Sequence, residues 1–186
     1  ARVSAKLREE HPNISIEIYS ESTQRIAQQI NDFSIDAGIL YYDGGDRDTT
    51  VKLYEERYVF IAPKALITSN KREITWVEVA QIPLCLLTPN MKNRQLIDEH
   101  FLDLEISPKI VTEASDFTAV LAQVAGGNAA TIAPVSVAET FLDLKSTVQL
   151  DLTHPVMTHS VGLSIKDQSP MLPMIEALRR AVQLAL

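Results

Sequence analysis

The chain has 186 residues, with 17 Lys and Arg against 24 Asp and Glu, and a formal net charge of −7. This acidic balance argues against nucleic-acid binding by the chain itself, because phosphate binding requires clustered Lys and Arg. The single cysteine excludes an internal disulfide, and no apolar run approaches the roughly 20 residues of a membrane span. Because the first residues have no apolar signal-peptide core, we expect a cytoplasmic protein of one domain or two small ones.

The first third of the chain predicts alternating helices and strands. Helix-forming composition over residues 1–10 predicts a helix that ends at His11-Pro12, because the residue before a proline avoids helical geometry. The alternation of Ile14, Ile16 and Ile18 with polar residues predicts a strand. The next predicted elements are a helix to about Phe33, a strand over 35–40, a polar loop over 41–50 and a strand over 51–62.

The rest of the chain continues this alternation. Thr75-Trp76-Val77-Glu78 matches a capping box and predicts a short helix, and Ser136-Val137-Ala138-Glu139 matches a second one. The other predicted elements are strands over 83–87, 109–112, 129–133, 148–152 and 159–165, and helices over 95–102, 115–124 and 173–184. Strands that alternate with helices predict an α/β fold with parallel sheets covered by helices.

No pattern typical of an enzyme, a cofactor site or a metal site is present. The four histidines are scattered, without a partner at i+4 or a carboxylate in metal-ligand spacing. Cys85 lies in an apolar run, which favours a packing role over a nucleophile. The acidic loop over 43–48 has calcium-like spacing in part but lacks the downstream Glu, which favours a solvated loop. We therefore expect no catalytic residue, no cofactor and no metal.

Three polar turns precede predicted helices, at 20–23, 88–90 and 113–116. In an α/β sheet such turns lie at the carboxyl ends of strands, where ligands bind. Their hydroxyls and the free N–H groups of a helix N-terminus suit a small anion such as a carboxylate. The alternative is that Ser, Thr and Asp merely cap the helices, and for any single turn this alternative is favoured.

Four stretches resemble, in their order and spacing, the effector-binding domain of LysR-type transcriptional regulators. They are EHPNISIEI at 10–18, IDAGI at 35–39, LYEERYVFIAP at 53–63 and VAGGNAATIAP at 124–134. No single stretch is specific, but together they cover nearly the whole chain.

The resemblance implies two Rossmann-like α/β subdomains joined by two crossover strands, as in type 2 periplasmic binding proteins. Regulatory subdomain I would comprise 1–62 and 154–186, and subdomain II would comprise 63–153. The family's domain begins with a strand before the first helix. We therefore expect the sheet of subdomain I to have a gap, or to borrow a strand from residues outside this sequence.

The resemblance also implies partners. A small-molecule effector would bind between the subdomains, and the domain would form homodimers, with tetramers of the full-length protein. DNA would be bound only through an N-terminal winged helix-turn-helix, which this chain does not contain, and no membrane is involved. The alternative function is a stand-alone solute-binding protein or a small enzyme on the same fold.

Carried over position by position, the resemblance implies nine effector-binding residues. They are Ser22, Thr23, Tyr41, Thr88, Asn90, Ser115, Asp116, Phe117 and Thr131. Thr23 and Ser115 are the strongest candidates, whereas Thr131 would project either into the cleft or into the core. Arg94 is the nearest basic candidate for an effector carboxylate, with a solvated charge on a helix face as the alternative.

Overall fold

The computed structural model describes residues 2–42, 50–67, 71–141, 146–166 and 172–185. The helices are α1 (Arg2–Glu10), α2 (Thr23–Asn31), α3 (Trp76–Ala80), α4 (Lys92–Asp103), α5 (Phe117–Ala125), α6 (Val135–Phe141) and α7 (Pro173–Ala185). The strands are β1 (Ala37–Tyr41), β2 (Thr50–Pro63), β3 (Glu73–Thr75), β4 (Leu84–Leu87), β5 (Ile110–Ala114), β6 (Thr131–Pro134), β7 (Thr147–Thr153) and β8 (Thr158–Ile165). The chain divides into two compact units, unit 1 (Ala1–Glu55 and His159–Leu186) and unit 2 (Glu56–Thr158).

Unit 1 is a small sheet with helices packed on it. Strand β8 pairs antiparallel with β1 and is the neighbour of β2 on its other side. Helix α1 packs against α7, which closes a core of Leu163, Ile165, Ile175 and Val182. The apolar stripe of α7 thereby buries one face against the sheet, as its helical spacing predicts.

The strand predicted over 14–18 is wrong. Residues 14–20 have no strand assignment, and Ile18 is 80% exposed. A period-two pattern shows that a segment fits a sheet, but a strand also needs a neighbour for its main-chain hydrogen bonds. In the part of unit 1 that the structure describes, β8 is the strand paired with β1.

Unit 2 contains parallel pairs, as predicted, but β2 also forms antiparallel pairs, so the sheet is mixed. Strand β2 pairs antiparallel with β6 on one side and with β7 on the other. Strands β6 and β7 therefore run in the same direction and are connected through α6, while β2 lies between them in the opposite direction. The sequence predicts the strand–helix–strand connection correctly, but it carries no signal for the strand inserted between its two ends.

The parallel pairs of unit 2 position the turns that concern function. Strand β3, which the sequence does not predict, pairs parallel with β7. Strands β4 and β5 also run parallel, and Ala130 bridges to Leu84 beside them. Cys85 in β4 is fully buried, and burial raises the pKa of its thiol, which confirms the packing role.

Candidate functional site

Two neighbouring turns of unit 2 bring predicted effector-binding residues together. These residues are Thr88 and Asn90 after β4, and Ser115, Asp116 and Phe117 after β5. Leu87 and Ala114 are register partners at the carboxyl ends of the two parallel strands, and the Thr88 N–H donates to the Ala114 carbonyl at 3.0 Å. The turns at 88–90 and 113–116 therefore lie next to each other, at the carboxyl ends of two paired parallel strands.

In the turn after β5, each of the three predicted residues contacts another group of the protein. Asp116 is the N-cap of α5, and its Oδ1 accepts the Ala119 N–H at 2.9 Å. The half-buried side chain of Phe117 packs against two core clusters, one around Val59 and one around Val120. Ser115 is exposed, and its Oγ lies 3.5 Å from Asp116 Oδ2. The capping alternative therefore accounts for Asp116, and packing accounts for Phe117.

The turn after β4 is built differently. Helix α4 begins at Lys92, and its N-cap residue Met91 makes no side-chain capping hydrogen bond. The Met91 N–H donates to the Thr88 carbonyl at 3.0 Å, which closes the turn through the main chain. Thr88 is half-buried and Asn90 is exposed. A helix start without a capping side chain presents main-chain N–H groups and the positive end of the helix dipole.

Two side chains in the first turn of α4 hold this turn in place. Asn93 is buried, and its Nδ2 donates to the hydroxyl of Tyr58 at 2.9 Å. Gln95 Nε2 donates to the Pro89 carbonyl at 3.1 Å. The turn is therefore attached to β2 and to its own helix. These residues were missed by the sequence analysis, which begins the helix at residue 95.

Arg94 fits neither of its predicted roles. Only 6% of its surface is exposed, so it is not a solvated charge on a helix face. Its Nη1 donates to the Leu87 carbonyl at 2.8 Å and to Glu113 Oε1 at 2.6 Å, while Nε donates to Asp98 Oδ1 at 2.8 Å. Burial would lower the pKa of the Arg94 guanidinium, but the hydrogen bonds to Glu113 and Asp98 outweigh it and raise the pKa. The positive charge is already matched by two carboxylates.

The predicted residues of unit 1 lie at the start of α2 and the end of β1. Ser22 is the N-cap of α2, and its Oγ accepts the Arg25 N–H at 3.4 Å. Thr23, the first residue of α2, is half-buried. Tyr41 ends β1, and its ring meets His159 edge-on with centroids 6.2 Å apart. Ser22 therefore has the capping role that the alternative predicted.

Helix α2 packs directly on β1. A Cβ at Gly38 would overlap Ile26 Cγ2, so the glycine permits this close approach. Because five residues connect the helix to the strand it packs on, the two run antiparallel. The start of α2 and the end of β1 therefore lie at the same edge of unit 1, which groups Thr23 with Tyr41.

Thr131 differs from the other predicted residues because it is fully buried. It begins β6, and its Oγ1 lies 3.5 Å from the Ile132 carbonyl. Its position matches the second of its two predicted locations, the core of unit 2.

Among the residues that the structure describes, no helix is long and apolar enough to cross a membrane. Nor do three or more His, Cys, Asp or Glu side chains come close enough to hold a metal ion there. The acidic loop over 43–48, the one calcium-like stretch of the sequence, lies outside the described residues.

Two α/β units, with the chain passing from one to the other within β2 and returning at the start of β8, and with polar turns at strand ends, define a ligand-binding domain of the periplasmic-binding-protein type. The profile of the LysR substrate binding domain matches residues 1–186, and the chain belongs to this family. This family consists of ligand-binding domains rather than enzymes, so the chain is not an enzyme.

Solved structures agree on the fold. The reduced regulatory domain of OxyR from Pseudomonas aeruginosa superposes with a TM-score of 0.82 at 20% identity, over 98% of this chain and 89% of that one. The effector-binding domain of QuiR in complex with shikimate gives a TM-score of 0.79 at 18% identity, over 97% of this chain and 86% of that one. Identities this low support the fold and leave the effector undetermined.

Among proteins matched by sequence is the "Probable RuBisCO transcriptional regulator" of Trieres chinensis. It is 24% identical over 157 residues, which are 78% of this chain and 50% of the relative. A protein of the same name from Phaeodactylum tricornutum is 23% identical over 178 residues, which are 90% of this chain and 57% of the relative. The chain thus spans about half the length of the curated relatives it matches.

Proposed function

We propose that this chain is the ligand-sensing domain of a LysR-type transcriptional regulator and binds a small anionic effector through polar turns of its regulatory subdomains. We equate subdomain I with unit 1 and subdomain II with unit 2. The observation that carries the proposal is the meeting of two polar turns at the carboxyl ends of β4 and β5, one of which opens a helix without a capping side chain.

The structure favours main-chain and hydroxyl donors for this anion over a side-chain cation. Arg94, the basic residue predicted for an effector carboxylate, is occupied by Asp98 and Glu113. The N–H groups at the start of α4, together with Thr88 and Asn90, form a neutral donor set with a favourable helix dipole. From the second turn, Ser115 contributes an exposed hydroxyl. Unit 1 would contribute Thr23 and Tyr41.

The regulatory consequence follows from linkage. An effector changes the arrangement of the subdomains only if it has different affinities for the two arrangements. We propose that this shift controls DNA binding by a longer, cytoplasmic protein. That protein would read DNA through a winged helix-turn-helix, dimerise through the present domain and assemble into tetramers.

The test is thermal melting of the purified chain against small carboxylates, amino acids, aromatic acids and shikimate, the compound bound in the QuiR structure. A bound compound raises the melting temperature by mass action. Thr88→Val and Ser115→Ala are expected to abolish most of that rise, and Thr23→Val to reduce it.

Thr140→Val is the matched control, because this exposed hydroxyl bonds within α6 to the Ser136 carbonyl, away from both turns. It should leave the rise unchanged. If a compound raises the melting temperature equally in the wild type and in all three site variants, the proposed site is wrong. If no compound of the panel acts, the anionic class of the effector is wrong.

A further inference from the structure

Arg94 is a buried charge at the junction of three elements. It stands in the first turn of α4, and its guanidinium reaches the last residue of β4 and the fourth residue of β5. Among the residues that it contacts, Leu87 directly precedes the turn at 88–90, and Glu113 is the first residue of the turn at 113–116. No other buried side chain among the described residues is charged.

The hydrogen bonds of Arg94 fix the orientation of its guanidinium as well as balance its charge. The two hydrogens of Nη1 are used on the Leu87 carbonyl and on Glu113 Oε1. Nε contacts both carboxylate oxygens of Asp98, at 2.8 and 2.9 Å, which fixes the guanidinium plane from one turn further along α4. Because the guanidinium fork is rigid and planar, these contacts determine how far apart the β4 carbonyl and the β5 carboxylate lie.

The neighbouring contacts leave little freedom for the turn between β4 and α4. It is held at Leu87 by Arg94, at Thr88 by the main-chain bond to Ala114, and at Pro89 by Gln95. Thr88 and Asn90 therefore stand on a segment whose ends are fixed. Loss of the Arg94 contacts would release Leu87 and Glu113 together, because the same nitrogen holds both.

We propose that Arg94 is a positioning residue of the effector site: it holds the ends of β4 and β5 and the start of α4 in the geometry that binds the effector, and it does not contact the effector. The inference rests on the proposed function for the location of the site. It concerns what organises the site, and it can be measured without any effector.

The experiment is amide hydrogen exchange on the effector-free chain. In Arg94→Met, exchange over 88–91 and 113–116 is expected to rise on the order of tenfold, while α7 and β7 keep their rates. Lys92→Met is the matched control, since it removes a cation from the same helix turn, and this half-buried Lys92 makes only a long pair with the exposed Glu99, at 3.7 Å. In this control, the exchange rates over 88–91 and over 113–116 should change by no more than about twofold.

A double-variant cycle separates positioning from a general loss of stability. Glu113→Met alone should accelerate exchange in both turns, and the double variant should exchange no faster than Arg94→Met alone, because both changes remove one contact. Equal exchange in Arg94→Met and Lys92→Met would overturn the inference, as would a uniform rise throughout unit 2. If Arg94→Met does not fold, Glu113→Met and Asp98→Asn carry the same comparison, because both carboxylates are about 40% exposed.

The two proposals fail in different ways. Suppose that exchange rises locally in Arg94→Met, but Thr88→Val leaves the response to every active compound intact. Arg94 then positions a turn that is not the effector site, and the proposed function fails alone. If Thr88→Val abolishes the response while exchange in Arg94→Met is unchanged, the site stands and the role of Arg94 is overturned.

Discussion

The starts of α4 and α5 lie side by side in unit 2, yet they are stabilised in opposite ways. Helix α5 begins on Asp116, whose carboxylate satisfies a helix N–H, and on Phe117, which is packed into the core. Helix α4 begins without a capping side chain, and its first-turn side chains point back to fix the preceding turn. The start of α5 satisfies one of its own N–H groups with a side chain. The start of α4 leaves its N–H groups uncapped, and its side chains hold the preceding turn rigid instead.

This difference teaches how to divide polar turns into structural and functional ones. A cap side chain occupies the same N–H groups that an anion would use, so a capped helix start is a poor anion site. By this criterion Ser22 and Asp116 are structural, and the start of α4 remains the better candidate. Substitutions should therefore affect stability at α5 and ligand response at α4.

The largest expected effect on the free energy of unfolding is at the residue of the α5 start that packs into the core. Phe117→Ala should lower the free energy of unfolding by about 2–4 kcal/mol, because a half-buried aromatic ring leaves two core clusters. Urea denaturation followed by circular dichroism measures the loss. Leu102→Ala is the control, since Leu102 on α4 is 76% exposed and should cost within about 0.5 kcal/mol. Equal losses for the two variants would contradict a structural role for Phe117.

The next effect is at the caps. Asp116→Ala should cost about 1 kcal/mol of unfolding free energy, because the Ala119 N–H loses its acceptor. Asp116→Asn keeps an acceptor oxygen and should cost only a few tenths of a kcal/mol of unfolding free energy. Ser22→Ala should cost less than Asp116→Ala, since its capping bond is longer, 3.4 Å against 2.9 Å. A larger loss in Ser22→Ala than in Asp116→Ala would reverse this order.

Much of the fold could be predicted from the sequence where local signals decide the structure. The capping box at Thr75 is present, with Thr75 Oγ1 accepting the Glu78 N–H and the Glu78 carboxylate accepting the Thr75 N–H. The strand predicted over 14–18 is wrong because a strand also needs a neighbouring strand, and a local alternation pattern does not show whether one is present. Strand β3 was missed because three residues carry no periodicity, and the insertion of β2 between β6 and β7 has no local signature.

The meeting of two polar turns could be predicted from the sequence, but the roles of their side chains only in part. Polar residues after β4 and β5 could be expected to meet, since parallel strands end at one edge. Whether a Ser or an Asp caps a helix or faces a ligand depends on one side-chain torsion, which the sequence does not determine. The spacing of Arg94 and Asp98, four residues apart on a helix, was the available signal that Arg94 is paired. The contacts to Leu87 and Glu113 depend on the fold.

The start of a third helix, α3, has a capping interaction whose stabilising effect depends on pH. Hydrogen bonds from Lys71 and from the Thr75 N–H lower the pKa of Glu78 to about 2, from an ordinary value of 4.5. The folded-state pKa lies below the unfolded one, so the stabilisation is complete above pH 4.5 and is lost as the pH falls towards 2. Glu78→Gln should therefore be less stable than the wild type at pH 6, and the difference should shrink at pH 3.

Urea unfolding of both proteins at the two pH values measures this change. Because half of the Glu78 side chain is exposed, the effect should be smaller than that of Asp116→Ala. Glu73→Gln, an exposed position three residues from the helix, is the control. A difference between Glu78→Gln and the wild type that stays constant from pH 6 to pH 3 would contradict the role of the ionised capping box.

The smallest expected effect on stability is at the α4 start. Thr88 contributes its main-chain N–H to Ala114 and its carbonyl to Met91, and both bonds survive in Thr88→Val. The free energy of unfolding should stay within about 0.5 kcal/mol of the wild type in urea titrations. A loss as large as that of Asp116→Ala would mean that the hydroxyl stabilises the turn as a cap does. The two helix starts would then be equivalent, and the criterion that assigns the effector to α4 would fail.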